Sequence, residues 1–599
     1  MDDGLLRHYE EELRFLRDSG VEFARAYPAV ASRLGLDDER TADPGVERLL
    51  EGLAFLTARI QRQMDAGFPQ FTENLLSLID PSALAMVPSM AVLRFEPDIA
   101  ERSLAAGYRV PMGTPVRATA EAMRDCEFRT SRDVTLWPLA IDGIDLLHGS
   151  VLRLRLRCAA GCRFSDLSLD ELPLFIPGNG AVANFLYEAL ICPAGVFYAM
   201  AADEPMSGEN RHAAIHTFSI SPPADEDDIY PDRGNTALRT LRHFLAFPQG
   251  GRFVRLAGLA PAVRSCHGDR LDLHIPVGSR ASTLLKTLDD QCLALFCTPV
   301  LNLFRKRTER ILVDGKTDDI RVVVDRSRPR DYDVYGIESV HMRHNGRSGA
   351  HPLHPAYSAT DTHNDAGYYR IRRSPRMAAG GDMDQAGYRH SDTFISIVES
   401  GVQAEPAGMG ELSIVAWCTN GALPYAMAHR GGATFVLDAG GPVRGVRCMA
   451  GPSRAMGPPP PDRQLWHALA YVSRSYLQLA CDDAEAGAAA LRDLLRSQVD
   501  GANAPAGRLI DGIRGLRSEP AFRRAPGPGP VSFARGLRLL LTLDDDACES
   551  VGACLAAAAL EVFFARYAAL NTFTETVLET TRRGRVAEWP ARAGRCVLL

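Results

Sequence analysis

Lysine is almost absent from this chain of 599 residues. Of the 67 lysine and arginine side chains, only Lys286, Lys306 and Lys316 are lysines, so arginine supplies nearly all of the positive charge. The net charge is -7 and no sustained run of basic residues occurs, which disfavours a role in nucleic-acid binding. Arginine forms planar, bidentate contacts, and the chain is therefore well supplied for protein interfaces.

Long apolar runs are missing as well. The longest run near the C-terminus, residues 551–560, is about half the length that a membrane-spanning helix needs. Residues 1–4 are acidic and show neither the basic nor the apolar part of a signal peptide. The 13 cysteines are scattered without a disulfide framework, as expected of reduced thiols. Together these absences predict a soluble, cytoplasmic protein that does not insert into a membrane.

Two apolar stripes of helical spacing lie near the N-terminus. In the first, spacings of three and four alternate as in a coiled-coil seam, through Leu6, Tyr9, Leu13, Leu16, Gly20, Phe23 and Tyr27. The second helix has Asp43 as N-cap and Pro44 at its first position, and its stripe contains Val46, Leu49, Leu53, Leu56, Ile60 and Met64. Either the two helices bury their own stripes against each other, or the stripes pack against other chains.

The net charge and the spacing of the apolar residues both change near residue 88. Residues 1–88 hold 16 acidic side chains against 9 arginines, whereas the remainder is neutral. Short alternating runs follow and predict strands, at 91–95, 151–157, 213–218, 253–256, 271–275, 320–324, 394–398, 412–417 and 537–543. Helical spacing returns at 181–189, 235–244, 465–479, 484–498 and 554–567.

These patterns predict an α+β multidomain protein, with a helical N-terminal segment, a β-rich antiparallel middle and a mixed α/β C-terminal region. The expected domains are a helical assembly domain at 1–88, a β-rich domain at 89–300, a second one at 301–456, and a mixed domain at 457–599. A polar stretch rich in Gly, His, Asp and Arg, residues 341–390, is interpreted as a long exposed loop.

One segment has the spacing of a dinucleotide-binding turn. Gly178, Gly180 and Ala183 form a G-x-G-x-x-A pattern between a predicted strand and a predicted helix, with Asp203 about twenty residues later. However, Pro177 lies inside the turn and the surrounding strands look antiparallel, which a dinucleotide-binding fold does not allow. An ordinary strand-to-helix turn explains the glycines equally well.

A histidine-rich stretch and an Asp-Gly pair raise two further possibilities. Five histidines could bind zinc or nickel, but their polar surroundings favour a solvated loop: His341, His344, His351, His354 and His363. Asp314 and Gly315 are interpreted as a hairpin turn between strands at 311–313 and 320–324. No convincing catalytic constellation emerges, so no enzyme activity, cofactor or metal is predicted. A nucleotide- or metal-dependent enzyme remains the alternative.

Several blocks of the sequence resemble one protein family. Residues 9–16 (YEEELRFL), 23–28 (FARAYP), 46–52 (VERLLEG) and 68–73 (FPQFTE) are similar to the start of the TssF family, the baseplate subunit of bacterial type VI secretion systems. Further similar blocks follow in the family's order, at 296–304 (FCTPVLNLF), 331–337 (DYDVYGI), 417–424 (WCTNGALP), 567–574 (YAALNTFT) and 589–599. The resemblance therefore covers essentially the whole chain.

The resemblance implies a non-enzymatic scaffold in a baseplate wedge. It implies two TssF copies with one TssG, TssK trimers, contacts with the VgrG hub, TssE and the contractile sheath, and recruitment to the inner-membrane-associated secretion complex. A wedge protein of a contractile phage-like tail is the alternative. We predict that packing between subunits uses Leu6, Tyr9, Leu13, Leu16, Phe23, Tyr27, Val46, Leu49, Leu53, Leu56 and Ile60.

The later blocks are interpreted as architectural. Thr298 and Pro299 can end a strand, and Asn302 can satisfy backbone groups above buried Leu303 and Phe304. Asn420 is interpreted as a turn residue, and Asn571 as an N-cap or an interface hydrogen-bonding group. Cys297 could be nucleophilic only beside a base. Gly421 departs from the family pattern, which commonly has arginine there.

Overall fold

The structure is a computed structural model of the chain. It describes residues 3–34, 44–65, 67–120, 123–147, 150–159, 161–178, 180–192, 195–201, 215–223, 230, 236–277, 291–313, 319–344, 349–356, 367–376, 388–398, 410–430, 434–438, 440–458, 482–499, 503–524, 533–570 and 572–594. Contacts divide the chain into an N-terminal unit that ends at Ile79 and a main unit that begins at Asp80.

The described helices number eleven. They are α1 (Asp3–Ala26), α2 (Pro28–Leu34), α3 (Pro44–Asp65), α4 (Gly67–Ile79), α5 (Ala181–Ile191), α6 (Thr236–Ala246), α7 (Ala260–Ser265), α8 (Leu423–Arg430), α9 (Ala484–Ser497), α10 (Ala504–Asp511) and α11 (Ala553–Tyr567). None of these described helices is both long enough and apolar enough to cross a membrane.

The strands that the structure describes all belong to the main unit. In the first half they are β1 (Met90–Pro97), β2 (Tyr108–Val110), β3 (Pro115–Ala120), β4 (Met123–Thr130), β5 (Val134–Leu136), β6 (Leu139–Leu147), β7 (Val151–Cys158), β8 (Glu171–Phe175), β9 (Phe197–Ala201), β10 (His216–Ser221), β11 (Phe253–Ala257), β12 (Arg270–Pro276), β13 (Ala294–Leu295) and β14 (Cys297–Leu301). In the second half they are β15 (Phe304–Arg307), β16 (Ile311–Val313), β17 (Ile320–Arg321), β18 (Asp333–His344), β19 (His351–Pro355), β20 (Tyr368–Pro375), β21 (Ser391–Val398), β22 (Gly410–Thr419), β23 (Thr434–Leu437), β24 (Val443–Ala450), β25 (Ile513–Arg524), β26 (Phe533–Leu543), β27 (Thr572–Thr580) and β28 (Gly584–Ala593).

Three large sheets and two smaller ones organise these strands. A closed barrel runs β1-β14-β4-β3-β23-β24, and an antiparallel sheet runs β13-β8-β11-β10-β9-β12-β7-β6. A second eight-stranded sheet runs β15-β22-β18-β19-β20-β21-β17, with β16 also paired to β22. Strands β2 and β5 form a separate pair, and β25-β26-β27-β28 form the C-terminal sheet.

Alternation of residue types determines which strand face is buried. In β7, Leu152, Leu154 and Leu156 are fully buried, while the arginines between them lie on the other face. The strand predicted at 151–157 is therefore confirmed. On that face Arg155 pairs with Asp272 of the neighbouring β12, at 3.2 Å.

The C-terminal sheet is mixed because one connection crosses over. Strands β26 and β27 are parallel, and α11 lies between them in the chain, as parallel neighbours require. The helix is rich in alanine and almost completely buried, including Phe563 and Phe564. The predicted fold class, helical at the start, antiparallel in the middle and mixed at the end, is confirmed.

Four details of the sequence interpretation are wrong. The stretch 341–390 is not one long loop, because it contains the end of β18 and all of β19 and β20. The strands around Asp314 do not form a hairpin, because β16 pairs with β22 and β17 pairs with β21. Strand β17 ends at Arg321, earlier than predicted. Thr298 and Pro299 lie inside β14 rather than at its end.

Other predictions are confirmed or lie outside the described residues. Helices α5, α6, α9 and α11 lie where helical spacing predicts them. The predicted helix at 465–479 and the start of the predicted strand at 213–218 fall outside the described residues. The domain boundaries predicted near residues 88, 300 and 456 stay predictions.

Candidate functional site

The second helix of the N-terminal unit exposes its apolar stripe. Glu47 of α3 forms an ion pair with Arg17 of α1, which marks the face of α3 that points to α1. Ala54 and Ala58 lie seven and eleven residues further, on the same face at 3.6 residues per turn, and both are fully buried. The small side chains therefore occupy the buried face.

The predicted interface residues of α3 lie on the opposite face. Their exposed fractions are 73% for Leu49, 50% for Leu53, 56% for Leu56 and 58% for Ile60. The spacing of 4-3-4 matches a coiled-coil seam. Burial between the two helices thus does not use this stripe. The side chain of Val46 lies outside the described residues.

The seam predicted on α1 is divided. Tyr9, Leu13 and Leu16 are half-buried, whereas Phe23 and Tyr27 are exposed, with tilted rings whose centroids are 5.3 Å apart. Tyr27 lies just beyond the end of α1, because Pro28 starts a new helix. The side chain of Leu6 lies outside the described residues.

A second cluster joins two of the later family-like blocks deep in the main unit. Asn302 directly follows β14, Asn420 directly follows β22, and both are buried. The Asn302 side-chain oxygen accepts hydrogen bonds from the Thr419 hydroxyl at 2.8 Å and from the Asn420 backbone N–H at 2.7 Å. Its amide nitrogen donates to the Glu127 carbonyl and to the Asn420 side-chain oxygen, both at 2.8 Å.

This amide connects the barrel to the second eight-stranded sheet. Glu127 belongs to β4 of the barrel, and Thr419 ends β22 of the sheet. Leu303 and Phe304 are buried beside it, as predicted. A buried amide with every bonding position used is an architectural element with no free group for chemistry. Asn571 lies outside the described residues.

Cys297 is not poised as a nucleophile. Its side chain is buried, and this burial raises the pKa of the thiol to about 12 despite nearby Arg94. Cys418 of β22 is buried in the same manner, with its pKa raised to about 12. Thiols with such pKa values carry almost no thiolate at neutral pH.

The sequence interpretation missed a buried ion cluster at the same junction. Asp333 lies at the start of β18. Its Oδ2 atom is 2.8 Å from Nδ1 of His390, and its Oδ1 atom is 3.1 Å from Nη2 of Arg376. Arg376 also pairs with Asp392 at 2.7 Å. Two of these side chains come from the stretch interpreted as a loop, so only the pairing of distant segments brings the cluster together.

Gly421 packs directly against this ion cluster. Its φ of +56° lies in the left-handed region, which favours glycine. A Cβ atom there would lie 2.9 Å from ring carbons of Tyr388 and His390 and 3.1 Å from the Asp333 carboxylate. The departure from arginine at this position therefore fits the close packing of His390 and Tyr388 in this chain.

The glycine-rich turn at 177–180 does not have dinucleotide-binding geometry. Strand β8 is antiparallel to both of its neighbours, β11 and β13, whereas the nucleotide fold needs parallel strands. Fully buried Arg252 donates to the Gly178 carbonyl and, at 2.8 Å, to Asn184 Oδ1 of α5. The Gly178 carbonyl of this turn thus binds a side chain of the protein itself.

The described histidines of residues 341–363 lie on two paired strands, β18 and β19. His341 lies in β18 opposite Pro352, while His351 and His354 lie in β19. His363 and the side chain of His344 lie outside the described residues. In the part of the chain that the structure describes, no three His, Cys, Asp or Glu side chains are grouped to hold a metal ion.

Comparison with known proteins identifies the family. The family model described as "Type VI secretion system, TssF" matches residues 1–596. Type VI secretion system component TssF1 of Pseudomonas aeruginosa is 37% identical over 623 residues, and the alignment covers 99% of each chain.

Two solved structures share the fold. A chain of the type VI secretion system TssK-TssF-TssG baseplate subcomplex, determined by cryo-electron microscopy, superimposes with a TM-score of 0.70 at 22% identity, over 92% of this chain and 99% of that one. A chain of the baseplate complex from the type VI secretion system gives 0.57 at 21% identity, over 99% of this chain and 100% of that one. The chain belongs to the TssF family of type VI secretion system baseplate components.

Proposed function

We propose that this chain is a structural subunit of the baseplate wedge, that it assembles with TssG and TssK, and that α3 supplies a docking surface between subunits. The observation that carries the docking surface is the apolar stripe of α3, Leu49, Leu53, Leu56 and Ile60, which faces away from α1. Apolar patches left exposed on a soluble protein mark interaction sites. The proposal assigns no catalysis to the chain.

The stripe is suited to receive another helix. Leucine and isoleucine at 4-3-4 spacing fit the holes of a facing helix that carries the same repeat. Full burial of one such side chain contributes about 1.5–3 kcal/mol, so residues that are half exposed or more contribute about 1–2 kcal/mol each. The four together supply roughly 4–8 kcal/mol, which is comparable to the cost of association.

Electrostatics sets the choice of partner surface. Residues 1–88 carry 16 acidic groups against 9 arginines, and Glu10, Asp18 and Glu22 are exposed on α1. A basic partner surface opposite these α1 side chains would gain attraction and a faster association rate. We therefore propose an amphipathic helix of a wedge partner as the occupant of the α3 stripe, and a basic partner surface as the neighbour of α1.

We extend the proposal to the larger assembly that the family resemblance implies. The subunit would be present in two copies per wedge, contact TssE and the contractile sheath, and hold the ring of wedges around the VgrG hub. Its mechanism would be mechanical, since interfaces hold the ring until a change in wedge geometry permits sheath contraction. Action at the inner-membrane-associated secretion complex follows from the same reasoning.

Co-purification with TssG and TssK from the same gene cluster tests the assembly. We expect a complex that elutes as one species in size-exclusion chromatography. If the unaltered chain forms no complex while both partners are folded, the assembly role is refuted.

The double substitution Leu53→Asp plus Leu56→Asp tests the docking surface. Both side chains are at least half exposed, so the free chain should fold normally. Two carboxylates buried in an apolar seam should cost at least about 4 kcal/mol, or about a thousandfold in affinity. Leu13 is less suitable for substitution, because it is half-buried and its loss would also disturb α1.

Leu312→Asp is the matched control. Leu312 is a leucine of β16 with 79% exposure, in a strand of the main unit and outside the stripe. We expect normal assembly with this variant. Unchanged complex formation by the Leu53 and Leu56 double variant would refute the docking surface while leaving the assembly role intact.

A further inference from the structure

Two cysteines from distant parts of the chain meet between α5 and α11. Cys192 caps the C-terminus of α5, where its backbone N–H donates to the Glu188 carbonyl at 2.8 Å. Cys554 lies in the first turn of α11. Their sulfur atoms are 3.8 Å apart although 362 positions separate them in sequence. Cys554 is buried, and Cys192 is partly exposed.

The contact between the two helices is held on both sides of the thiols. Asn184 of α5 donates to the Glu549 carbonyl at 2.7 Å, just before α11. Arg583, after β27, binds Glu188 of α5 at 2.6 Å and Asp545 at 2.9 Å. The two sulfur atoms are therefore held near each other by contacts that do not involve them.

A disulfide needs only a small local movement. The S–S bond is about 2.05 Å long, so the sulfur atoms must approach by roughly 1.8 Å. Cys192 lies at a helix terminus, where no further helical turn constrains its backbone. Rotation about χ1 at this end can supply most of the approach.

We propose that Cys192 and Cys554 form a peroxide-oxidisable dithiol pair, in which Cys192 is attacked first and Cys554 resolves the product into an intramolecular disulfide. The oxidant is hydrogen peroxide. Nothing in the assembly role requires or supplies this chemistry, and the inference is independent of it.

The two steps balance as follows. The Cys192 thiolate attacks one peroxide oxygen, the O–O bond breaks, and the departing hydroxide takes a proton to become water, which leaves a sulfenic acid on Cys192. The Cys554 sulfur then attacks the Cys192 sulfur, the S–O bond breaks, and the hydroxide leaves with the Cys554 proton as a second water. The two thiols lose two electrons and the peroxide gains them.

The environment assigns the two roles. The hydrogen bond between the two sulfur atoms, with Arg583 nearby, lowers the pKa of Cys192 against the opposing effects of burial and Glu188. The same bond and the burial of Cys554 raise the pKa of the Cys554 thiol well above its usual range. Cys192 is also the more exposed of the two, so peroxide reaches it first.

Mass spectrometry of the full chain tests the pair. The chain has 13 cysteines, and we expect alkylation under denaturing conditions to fall from thirteen groups to eleven after peroxide treatment, with recovery by dithiothreitol. Cleavage after glutamate isolates Cys192 in residues 189–204 and Cys554 in residues 550–561, so that each peptide contains one cysteine. We expect these two peptides to be linked.

Variants separate this pair from general thiol oxidation. Cys192→Ser and Cys554→Ser should abolish the link, whereas Cys448→Ser should keep it, because burial raises the pKa of Cys448 to about 11. In Cys554→Ala, Cys192 has no resolving partner and should therefore accumulate a sulfenic acid that a 1,3-dione reagent traps.

Two results would overturn the proposal. One is an alkylation count that stays at thirteen after treatment of the unaltered chain, and the other is a link that joins other cysteines. Both results come from the unaltered chain, so poor folding of a variant cannot obscure them.

Discussion

The buried amide of Asn302 offers the sharpest test of how the main unit is held together. We expect Asn302→Ala to lower the free energy of unfolding by about 3–5 kcal/mol. The substitution removes the partner of three groups at a buried site: the Asn420 backbone N–H, the Asn420 side-chain oxygen and the Glu127 carbonyl. Each such group left without a bond costs about 1–3 kcal/mol.

Two considerations limit this magnitude. The space left by the carboxamide can admit a water molecule, which would restore part of the bonding. The Thr419 hydroxyl loses its acceptor too, but it still accepts from the Gly421 N–H at 3.3 Å and can rotate toward another acceptor. The expected loss in the free energy of unfolding therefore corresponds to three groups left without a hydrogen bond rather than four.

The measurement is urea unfolding followed by tryptophan fluorescence. Trp417 is two residues before Thr419 in β22 and reports on this junction. Because a chain of this size need not unfold in two states, the shift in the midpoint of the fluorescence transition is the quantity to compare. Asn74→Ala in α4 is the control, since that half-buried side chain takes no part in the network, and it should stay within about 0.5 kcal/mol.

A double-mutant cycle with Thr419→Val identifies the cause. Valine keeps the shape of threonine and removes only the hydroxyl, so alone it should cost about 1 kcal/mol. If the two residues act through one network, the double variant should lose less than the sum of the single losses by at least about 0.5 kcal/mol. A loss below about 1 kcal/mol for Asn302→Ala would refute the network as a stabilising element.

Three further predictions follow from the same unit. Gly421→Ala should destabilise the fold by about 2 kcal/mol in urea unfolding, because its φ of +56° and the nearby ring carbons disfavour a Cβ atom, and a neutral result would contradict this packing. Burial, with repulsion from Arg239 and Arg242, lowers the pKa of His243 to about 3, so the folded state stays neutral while the unfolded chain binds a proton below about pH 6.5. Stability should therefore fall by about 1–2 kcal/mol from pH 7.5 to 5, and urea midpoints of a His243→Asn variant should lack this part of the acid sensitivity. Cys297 should resist iodoacetamide at pH 8 in the folded chain and react after unfolding, whereas labelling of the native protein at the rate of a free thiol would show that its pKa is not raised to about 12.

Periodic elements were predictable from the sequence because local spacing determines them. Leucine alternates with arginine in β7, and the leucines are fully buried in the structure. The spacing in α11 likewise marks a helix, although its burial on nearly all sides goes beyond an amphipathic pattern. In each case the side chains that determine the element lie within a few residues of one another.

The strands within 341–390 were missed because their faces are only weakly apolar. In β19 no residue is fully buried, and in β20 only Tyr369 is. Such strands form through backbone pairing with their neighbours, and their sequence gives little alternation to detect. The Asp333 cluster has the same origin, since Arg376 and His390 reach it only after β18, β20 and β21 have assembled.

The orientation of α3 could not be read from its apolar spacing. A leucine stripe is expected to face the helix that packs against it, but here alanines occupy the buried face and the leucines remain exposed. The ion pair between Arg17 and Glu47, 30 positions apart, reveals this orientation, and sequence spacing within one helix contains no such information.

Arginine serves two purposes in this chain that composition alone does not distinguish. Buried Arg242 donates to the Ser82 and Ala85 carbonyls at 2.9 and 2.8 Å, and Arg373 donates to the Leu84 and Tyr335 carbonyls at 3.1 and 2.6 Å. A planar guanidinium can satisfy two carbonyl groups at once, which the point charge of lysine does less well. Some of the arginine side chains thus donate hydrogen bonds to backbone carbonyl groups inside the main unit. The exposed side chains of the α3 stripe are leucine and isoleucine instead, which supports placing the docking surface there rather than on the arginine-rich strands.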